Sequence, residues 1–145
     1  MELVNDIIKI ITTKELRGYL FDGFFNTLIV TVCAAAIGLV LGVAIAIIKV
    51  FAKENKYLKI PGAICEVYTT VIRGTPVALQ LFLMVFAILA IPGFKVPAVI
   101  ITFGLNSSAY VSENIRAGIL SVDKGQMEAG RSLGLTRFKT MIKII

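Results

Sequence analysis

Three long apolar segments, separated by short polar ones, dominate the pattern of this chain. The first covers about 24–48 without a charged residue, and two more follow at about 62–91 and about 98–120. A helix of about 20 apolar residues crosses the hydrocarbon core of a membrane, so each segment is long enough to span it. The pattern predicts an all-α membrane protein in which residues 1–145 form a single transmembrane domain with three membrane helices.

The polar segments between these helices indicate which side of the membrane they face. The first polar segment is rich in lysine and contains Lys49, Lys53, Lys56 and Lys59 against Glu54. Because cytoplasmic loops are enriched in Lys and Arg, we expect this segment in the cytoplasm and the N-terminus outside. The turn at 92–97 has only Lys95 and is expected outside, whereas the stretch from 124 onward carries five basic residues and is expected in the cytoplasm.

Composition narrows the class of protein further. Hydrophobic residues make up 57% of the chain and charged residues 17%, which is far more apolar than a soluble domain requires. The net charge of +6 is explained by membrane topology, since no basic run interleaved with aromatic residues indicates a nucleic-acid site. Histidine is absent, and Cys33 and Cys65 are expected to be free thiols, so the sequence predicts no metal site and no cofactor.

The first 22 residues form a mixed segment with apolar side chains at 3, 4, 7, 8 and 11 on one helical face. We interpret it as a short amphipathic lead-in or an interfacial helix. It does not have the pattern of a cleavable signal peptide, because the first apolar segment begins late and is too long.

Small residues recur every four positions in the first apolar segment, at Ala34, Gly38, Gly42 and Ala46. This spacing places them in one stripe along a helix, where another backbone can approach closely. The stripe predicts a packing face for either a neighbouring helix or a second subunit.

The second apolar segment is interrupted by Arg73-Gly74-Thr75-Pro76. Pro76 removes a backbone hydrogen bond and frees the carbonyl near Ile72, which predicts a kink or a break. Within a membrane a break is tolerated where it is buried in protein or faces a water-filled cavity, and Arg73 there needs a counter-charge or a polar partner. Arg73 and Thr75 are therefore candidates for a translocation pathway; the simpler interpretation is a bent helix whose arginine reaches the membrane surface.

Polar side chains interrupt the third apolar segment, and Asn106, Tyr110 and Glu113 lie on about one helical face. A face exposed to lipid cannot carry these groups cheaply, so they are candidates for lining a pathway. Glu113 also lies three residues before Arg116, which predicts an ion pair within the helix as an alternative role.

The stretch 121–145 is polar and basic, and it has the signals of two short helices. Asp123 can cap the first helix, with Gln126 in the third position of a capping-box-like pair, and Gly134 supplies a left-handed stop. Thr136 can cap the second helix. Periodicity alone is also typical of an amphipathic hairpin on a membrane surface.

The residues of this stretch resemble a known motif. Glu128-Ala129-Gly130, followed by Gly134 and Ile144, resembles the EAA loop by which ABC importer permeases dock on their ATPase. Four further segments resemble the polar amino-acid branch of that family. They are Arg73-Gly74-Thr75-Pro76 with Gln80-Leu81, Leu105-Asn106-Ser107-Ser108-Ala109-Tyr110-Val111-Ser112-Glu113, Ile115-Arg116-Ala117-Gly118-Ile119, and Gly125-Gln126-Met127-Glu128-Ala129. Gly130 stands where the family usually has alanine. The family pattern continues past Ile145 into Leu-Pro and further helices, so we expect this chain to represent part of a permease.

The resemblance implies a type I ABC importer fold with a cytoplasmic coupling-helix pair. It implies two permease subunits, identical or related, two cytoplasmic ATPases and an external solute-binding protein at a bacterial inner membrane. The substrate would be a polar amino acid of the histidine, glutamate, glutamine, arginine or opine type. The residues implied for ATPase coupling are Gly125, Gln126, Glu128, Ala129, Gly134 and Ile144.

The chain lacks a phosphate-binding P-loop and a histidine-based catalytic pair, so we expect it not to be an enzyme, with ATP hydrolysed by a separate chain. Two other functions stay open at this point. One is a short membrane partner of the ATPase that moves no solute. The other is a small channel or secondary transporter that uses Arg73 and Glu113.

Overall fold

The computed structural model describes residues 12–52 and 55–144, and every regular element in these ranges is helical. In chain order the α-helices are α1 (Lys14–Ala52), α2 (Lys59–Gly74), α3 (Val77–Leu83), α4 (Lys95–Ser121), α5 (Lys124–Ser132) and α6 (Arg137–Lys143). A short 3-10 turn, Lys56–Leu58, precedes α2, and a π-helical turn, Met84–Ile88, extends α3. The all-α prediction is confirmed. The apolar face predicted at 3–11 lies outside the described residues, as do Lys53, Glu54 and Ile145.

The first helix is longer than the apolar segment that predicted it. It begins at Lys14 rather than near 24 and runs for 39 residues. At 1.5 Å per residue it is about 58 Å long, roughly twice the thickness of the hydrocarbon core. Residues 14–22 therefore continue α1, and the lead-in predicted to be separate is joined to the membrane helix.

The helices differ in how well they meet the requirements of a membrane span. Among the described residues, Leu16–Ala52 is by itself long and apolar enough, and it contains an 18-residue stretch with a mean hydropathy of 2.8. The pair Lys56–Gly74 and Val77–Ile88 qualifies only together, and the chain bends by 104° between them. Helix α4 has 27 residues, but its polar side chains keep it below the same standard. The second segment is thus a bent pair, and three full spans stay a prediction.

The stripe of small residues on α1 faces α4 of the same chain. A Cβ atom added at Gly38 would lie 2.6 Å from Ser107 Cβ, and one added at Gly42 would lie 2.6 Å from Val111 Cγ1. Gly104 on α4 reciprocates, because a Cβ there would lie 2.7 Å from a side-chain carbon of α1. The two backbones approach closely because both helices carry small residues at the contact.

The interior is built from small side chains and the outside from large ones. Ala46, Ala98 and Ala109 are fully buried, whereas Phe24 and Val40 on α1 are mostly exposed. In water this distribution would leave an extended apolar surface, but lipid tails satisfy it without cost. The described helices are therefore arranged as a membrane bundle with its apolar surface turned outward.

Candidate functional site

One carboxylate, that of Glu113 on α4, is shared by three cations from three helices. Its Oε1 accepts a hydrogen bond from Lys49 Nζ, and its Oε2 accepts two from Arg116, at 2.7 Å from Nη2 and 3.1 Å from Nε. Arg73 Nη1 lies 3.7 Å from the same Oε2. The side chain of Glu113 is only 13% exposed, so these ion pairs lie largely away from solvent. The ion pair expected between Glu113 and Arg116 is present and is one part of a larger cluster.

Lys49 lies at the centre of this cluster. Its ammonium group also pairs with Glu66 Oε2 at 2.6 Å and donates to Thr69 Oγ1 at 2.9 Å, both on α2. The Lys49 side chain is 3% exposed, whereas that of Glu66 is 65% exposed. The sequence predicted Lys49 in the polar segment after the first apolar one, whereas the structure buries its side chain; the cytoplasmic side of that segment stays a prediction. Lys49 belongs to the last turn of α1, where two carboxylates from neighbouring helices reach its ammonium group.

The guanidinium carbon of Arg73 lies over the ring of Tyr110, 5.5 Å from its centroid. A cation over an aromatic face is attracted by the negative potential of the ring, which favours this position of the Arg73 side chain. Next to it, Tyr68 Oη donates to the backbone oxygen of Leu105 at 2.8 Å and lies 2.7 Å from Ser108 Oγ. Helices α2 and α4 are thus joined by polar contacts.

The break between α2 and α3 exposes backbone groups that one side chain satisfies. Gln80 Nε2 donates to the carbonyl oxygen of Ile72 at 2.8 Å and to Thr75 Oγ1 at 2.7 Å. The other end of this amide, Gln80 Oε1, accepts from Asn106 Nδ2 of α4 at 3.1 Å. The carbonyl predicted to be freed by Pro76 therefore has a partner, and the broken segment is tied to α4.

The five residues expected near a pathway fall into two adjoining groups. Arg73, Tyr110 and Glu113 form one, and Thr75 and Asn106 join the other through Gln80. Sequence reasoning missed four contributing residues, which are Lys49, Glu66, Tyr68 and Gln80. A signal for Lys49 was available, because it lies three residues after Ala46 and so extends the small-residue stripe by one turn.

Helices α5 and α6 form the second candidate site, and their ends follow the predicted signals. Asp123 Oδ1 accepts from the backbone N–H of Gly125 at 2.6 Å, and Thr136 Oγ1 accepts from that of Lys139 at 3.3 Å. Between the helices Gly134 has a φ of +79°, a conformation that L side chains rarely adopt. The chain therefore forms a helix, a left-handed elbow and a second helix.

The two short helices touch at Gly130, where alanine is usual in the resembled motif. A Cβ atom there would lie 2.4 Å from Thr140 Cγ2 and 3.0 Å from Ile144 Cδ1. Glycine therefore allows the buried Thr140 to pack directly on the α5 backbone. The other residues implied for coupling are exposed on this pair or at its elbow; they are Gly125, Gln126, Glu128, Ala129 and Gly134.

A cleft of about 360 Å³ lies between the ion cluster and the helix pair. Lys49 and Arg116 line one part of it, and Asp123 and Glu128 line another. Near it the rings of Phe51 and Phe138 are 6.2 Å apart, which brings the end of α1 against α6. The helix pair is thus adjacent to the charged cluster.

Exposed apolar helices, a broken apolar segment lined by polar side chains and a helix pair at the end of α4 are the features of a helical membrane protein. The chain belongs to the family of binding-protein-dependent transport system inner membrane components, whose sequence pattern matches residues 38–145. The resemblance to ABC importer permeases and the inner-membrane location are confirmed. The orientation of the N-terminus stays a prediction.

Several curated relatives are similar over most of this chain. It is 42% identical over 130 residues to the putative glutamine transport system permease protein GlnP of Rickettsia prowazekii, covering 88% of this chain and 57% of GlnP. It is 39% identical to the arginine transport system permease protein ArtQ of Bacillus subtilis, covering 85% of this chain and 55% of ArtQ. It is 38% identical to the L-cystine transport system permease protein TcyB of Bacillus subtilis, covering 87% of this chain and 53% of TcyB. The chain thus spans little more than half the length of these relatives.

A solved structure supports the same fold. The crystal structure of an amino acid ABC transporter with histidines matches with a TM-score of 0.70 and 36% sequence identity, over 92% of this chain and 64% of that one. The expected type I importer architecture is therefore confirmed for the part of the fold that this chain represents. Neither the small channel nor the non-transporting partner is favoured by these matches.

Proposed function

We propose that this chain is part of the membrane subunit of an ATP-driven importer that carries a polar amino acid across a bacterial inner membrane. The observation that carries the proposal is the exposed, capped helix α5, which follows α4 after only two residues. A push on α5 is therefore passed directly to the helix that carries Glu113. The relatives named for glutamine, arginine and cystine transport support an amino acid as the substrate.

The proposed assembly contains a second permease subunit, identical or related, a pair of cytoplasmic ATPases and an external solute-binding protein. The permease binds no nucleotide, and ATP is hydrolysed by the partner chains. In the membrane the N-terminus lies outside, so that α5 and α6 face the ATPase.

The coupling step is proposed to use the exposed face of α5. Glu128 is exposed and makes a charged contact with the ATPase, while Gly134 holds the elbow that presents α5. Closure of the ATPase pair moves α5, and α4 moves with it. The pathway is proposed to run past the side chains of Arg73, Thr75, Asn106, Tyr110 and Glu113.

Capture of the ATPase in mild detergent tests the proposal in the complete transporter. We expect Glu128→Arg and Gly134→Val each to release the ATPase, the first by reversing a contact charge and the second by straining a left-handed backbone position by about 1–2 kcal/mol. The matched control is Asp22→Arg, which reverses another exposed acid on α1 at the opposite end of the molecule, and it should leave capture intact.

Folding is monitored in each variant by gel filtration and thermal unfolding. Release by both coupling variants, with folding and the Asp22→Arg control preserved, supports the proposal. Capture that ignores both changes would show that α5 is not the docking helix.

A further inference from the structure

The charged cluster around Glu113 holds more positive than negative charge. Among the residues that the structure describes, its cations are Lys49, Arg73 and Arg116 and its anions are Glu66 and Glu113, which leaves one positive charge in excess. Charged side chains inside a membrane bundle are stable when they are paired with opposite charges, so an excess cation there favours an anionic ligand.

The excess belongs to Arg73 because the other charges already have close partners. Lys49 bonds one oxygen of Glu113, and Arg116 bonds the other through two nitrogens. Arg73 is 3.7 Å from that carboxylate, beyond hydrogen-bond distance. In the described part of the chain its other contact is the ring of Tyr110. Both oxygens of Glu113 are therefore bonded by other cations, whereas Arg73 keeps guanidinium donors that a carboxylate can use.

The position of Arg73 suits a binding group. It lies in the last turn of α2, directly before the break, and its side chain is 44% exposed. The guanidinium lies over the Tyr110 ring, which attracts its positive charge, and a guanidinium can bind a carboxylate with two parallel hydrogen bonds. Broken helices inside membranes occur where the chain lines a cavity or a binding site.

We propose that Arg73, positioned over the ring of Tyr110, binds the α-carboxylate of the transported amino acid. This inference rests on the proposed function and adds the group that recognises the substrate. Asn106 lies one helical turn from Tyr110, about 6 Å along α4, and its amide is bonded to Gln80 at the break.

The test measures binding of amino acids to the purified complex of permease and ATPase. The solute-binding protein is left out, so that the binding measured is that of the permease. The probes are L-glutamine, L-arginine and L-histidine, each compared with its own α-carboxamide, which lacks the negative charge. We expect Arg73→Gln to weaken binding of the amino acid by roughly 10- to 100-fold, the effect of one lost charged hydrogen-bonded pair. Binding of the carboxamide should change little, and Arg73→Lys should retain part of the preference for the carboxylate.

The matched control is Lys59→Gln, which removes one positive charge from an exposed position of α2 and leaves the partners of Arg73 and Glu113 unchanged. It should affect the amino acid and the carboxamide equally. Equal losses for both ligands in Arg73→Gln, or no loss for the amino acid, would overturn the inference while the transporter still binds amino acids. If the native complex binds none of the probes, the inference fails together with the proposed amino-acid function.

An anionic lipid headgroup is the other source of a negative group for Arg73. In membranes with and without anionic lipid, the native complex and Arg73→Gln are therefore compared by thermal unfolding. The proposal is overturned if anionic lipid stabilises the native complex but not Arg73→Gln while the affinity for the amino acid is unchanged. The partner of Arg73 would then be a lipid phosphate and not the substrate carboxylate.

Discussion

Replacing Lys49 by methionine tests the charged cluster most directly. Methionine keeps the length and the apolar packing of the lysine stem, but it removes the ammonium group that bonds Thr69, Glu66 and Glu113. Because the Lys49 side chain is 3% exposed, water cannot take the place of these contacts without opening the bundle. We therefore expect Lys49→Met to destabilise the complete permease.

The expected loss follows from what each partner retains. Glu66 is 65% exposed and is solvated after the change, so its pair is worth less than about 1 kcal/mol. Glu113 keeps Arg116 but loses a charged hydrogen bond, and a bond of this kind contributes about 1.5–3 kcal/mol. Removing a buried ammonium also removes its desolvation cost, which offsets part of the loss. The net destabilisation should be about 2–3 kcal/mol.

The assay is reversible denaturant unfolding of the permease in detergent micelles. The control is Glu66→Gln, which breaks a pair of the same lysine at an exposed position and should cost less than about 1 kcal/mol. Lys49→Met combined with Glu113→Gln should cost less than the sum of the single changes by at least about 1 kcal/mol, since both remove the same contact. A loss for Lys49→Met equal to that of Glu66→Gln, or strict additivity, would refute the assignment of Lys49 as the centre of the cluster.

Three further changes probe the packing and the break, all by unfolding of the full permease unless stated. Gly38→Ala places a Cβ 2.6 Å from α4 and should cost about 1–3 kcal/mol, whereas Gly23→Ala, with nothing within 4 Å, should not destabilise; equal effects would contradict the close contact. Gly130→Ala should weaken ATPase capture, and Thr140→Ser, which removes the methyl 2.4 Å from the new Cβ, should restore it; no rescue would count against this packing. Gln80→Leu leaves a carbonyl at the break without its donor and should cost about 1–3 kcal/mol, and an unchanged stability would contradict this role.

Local signals predicted the ends and interruptions of helices well. Asp123 and Thr136 cap the helices that they were expected to cap, and Gly134 has the left-handed conformation expected at the elbow. Pro76 predicted a break because proline removes a hydrogen bond whatever the surroundings are. Helix caps, left-handed glycines and proline breaks depend on a few neighbouring residues, so they can be predicted from the local sequence.

Contacts between distant residues were harder to predict. Lys49 was assigned to the polar segment after the first helix and not to the site, because its partners Glu66 and Glu113 lie 17 and 64 positions away. They come near only after α1, α2 and α4 pack. The size of the bend is another case: Pro76 indicates a break, but the 104° angle depends on what α3 packs against. Burial and angle are tertiary properties, and local periodicity does not determine them.

The strengths of the contacts predict which part of the bundle moves during transport. The ion pairs around Glu113 hold α4 to α1 and α2. In the described structure the side-chain hydrogen bond between α4 and α3 is the one from Asn106 to Gln80, which joins two neutral groups. Neutral hydrogen bonds contribute about 0.5–1.5 kcal/mol and charged ones about twice that, so a push from α5 should open the contact with α3 first. The Gly74 turn beside Pro76 has open space around it and can serve as the hinge. Spin labels on α1 and α4 should therefore keep their distance when ATP binds, while labels on α3 and α4 move apart; the reverse pattern would place the hinge at the ion cluster instead.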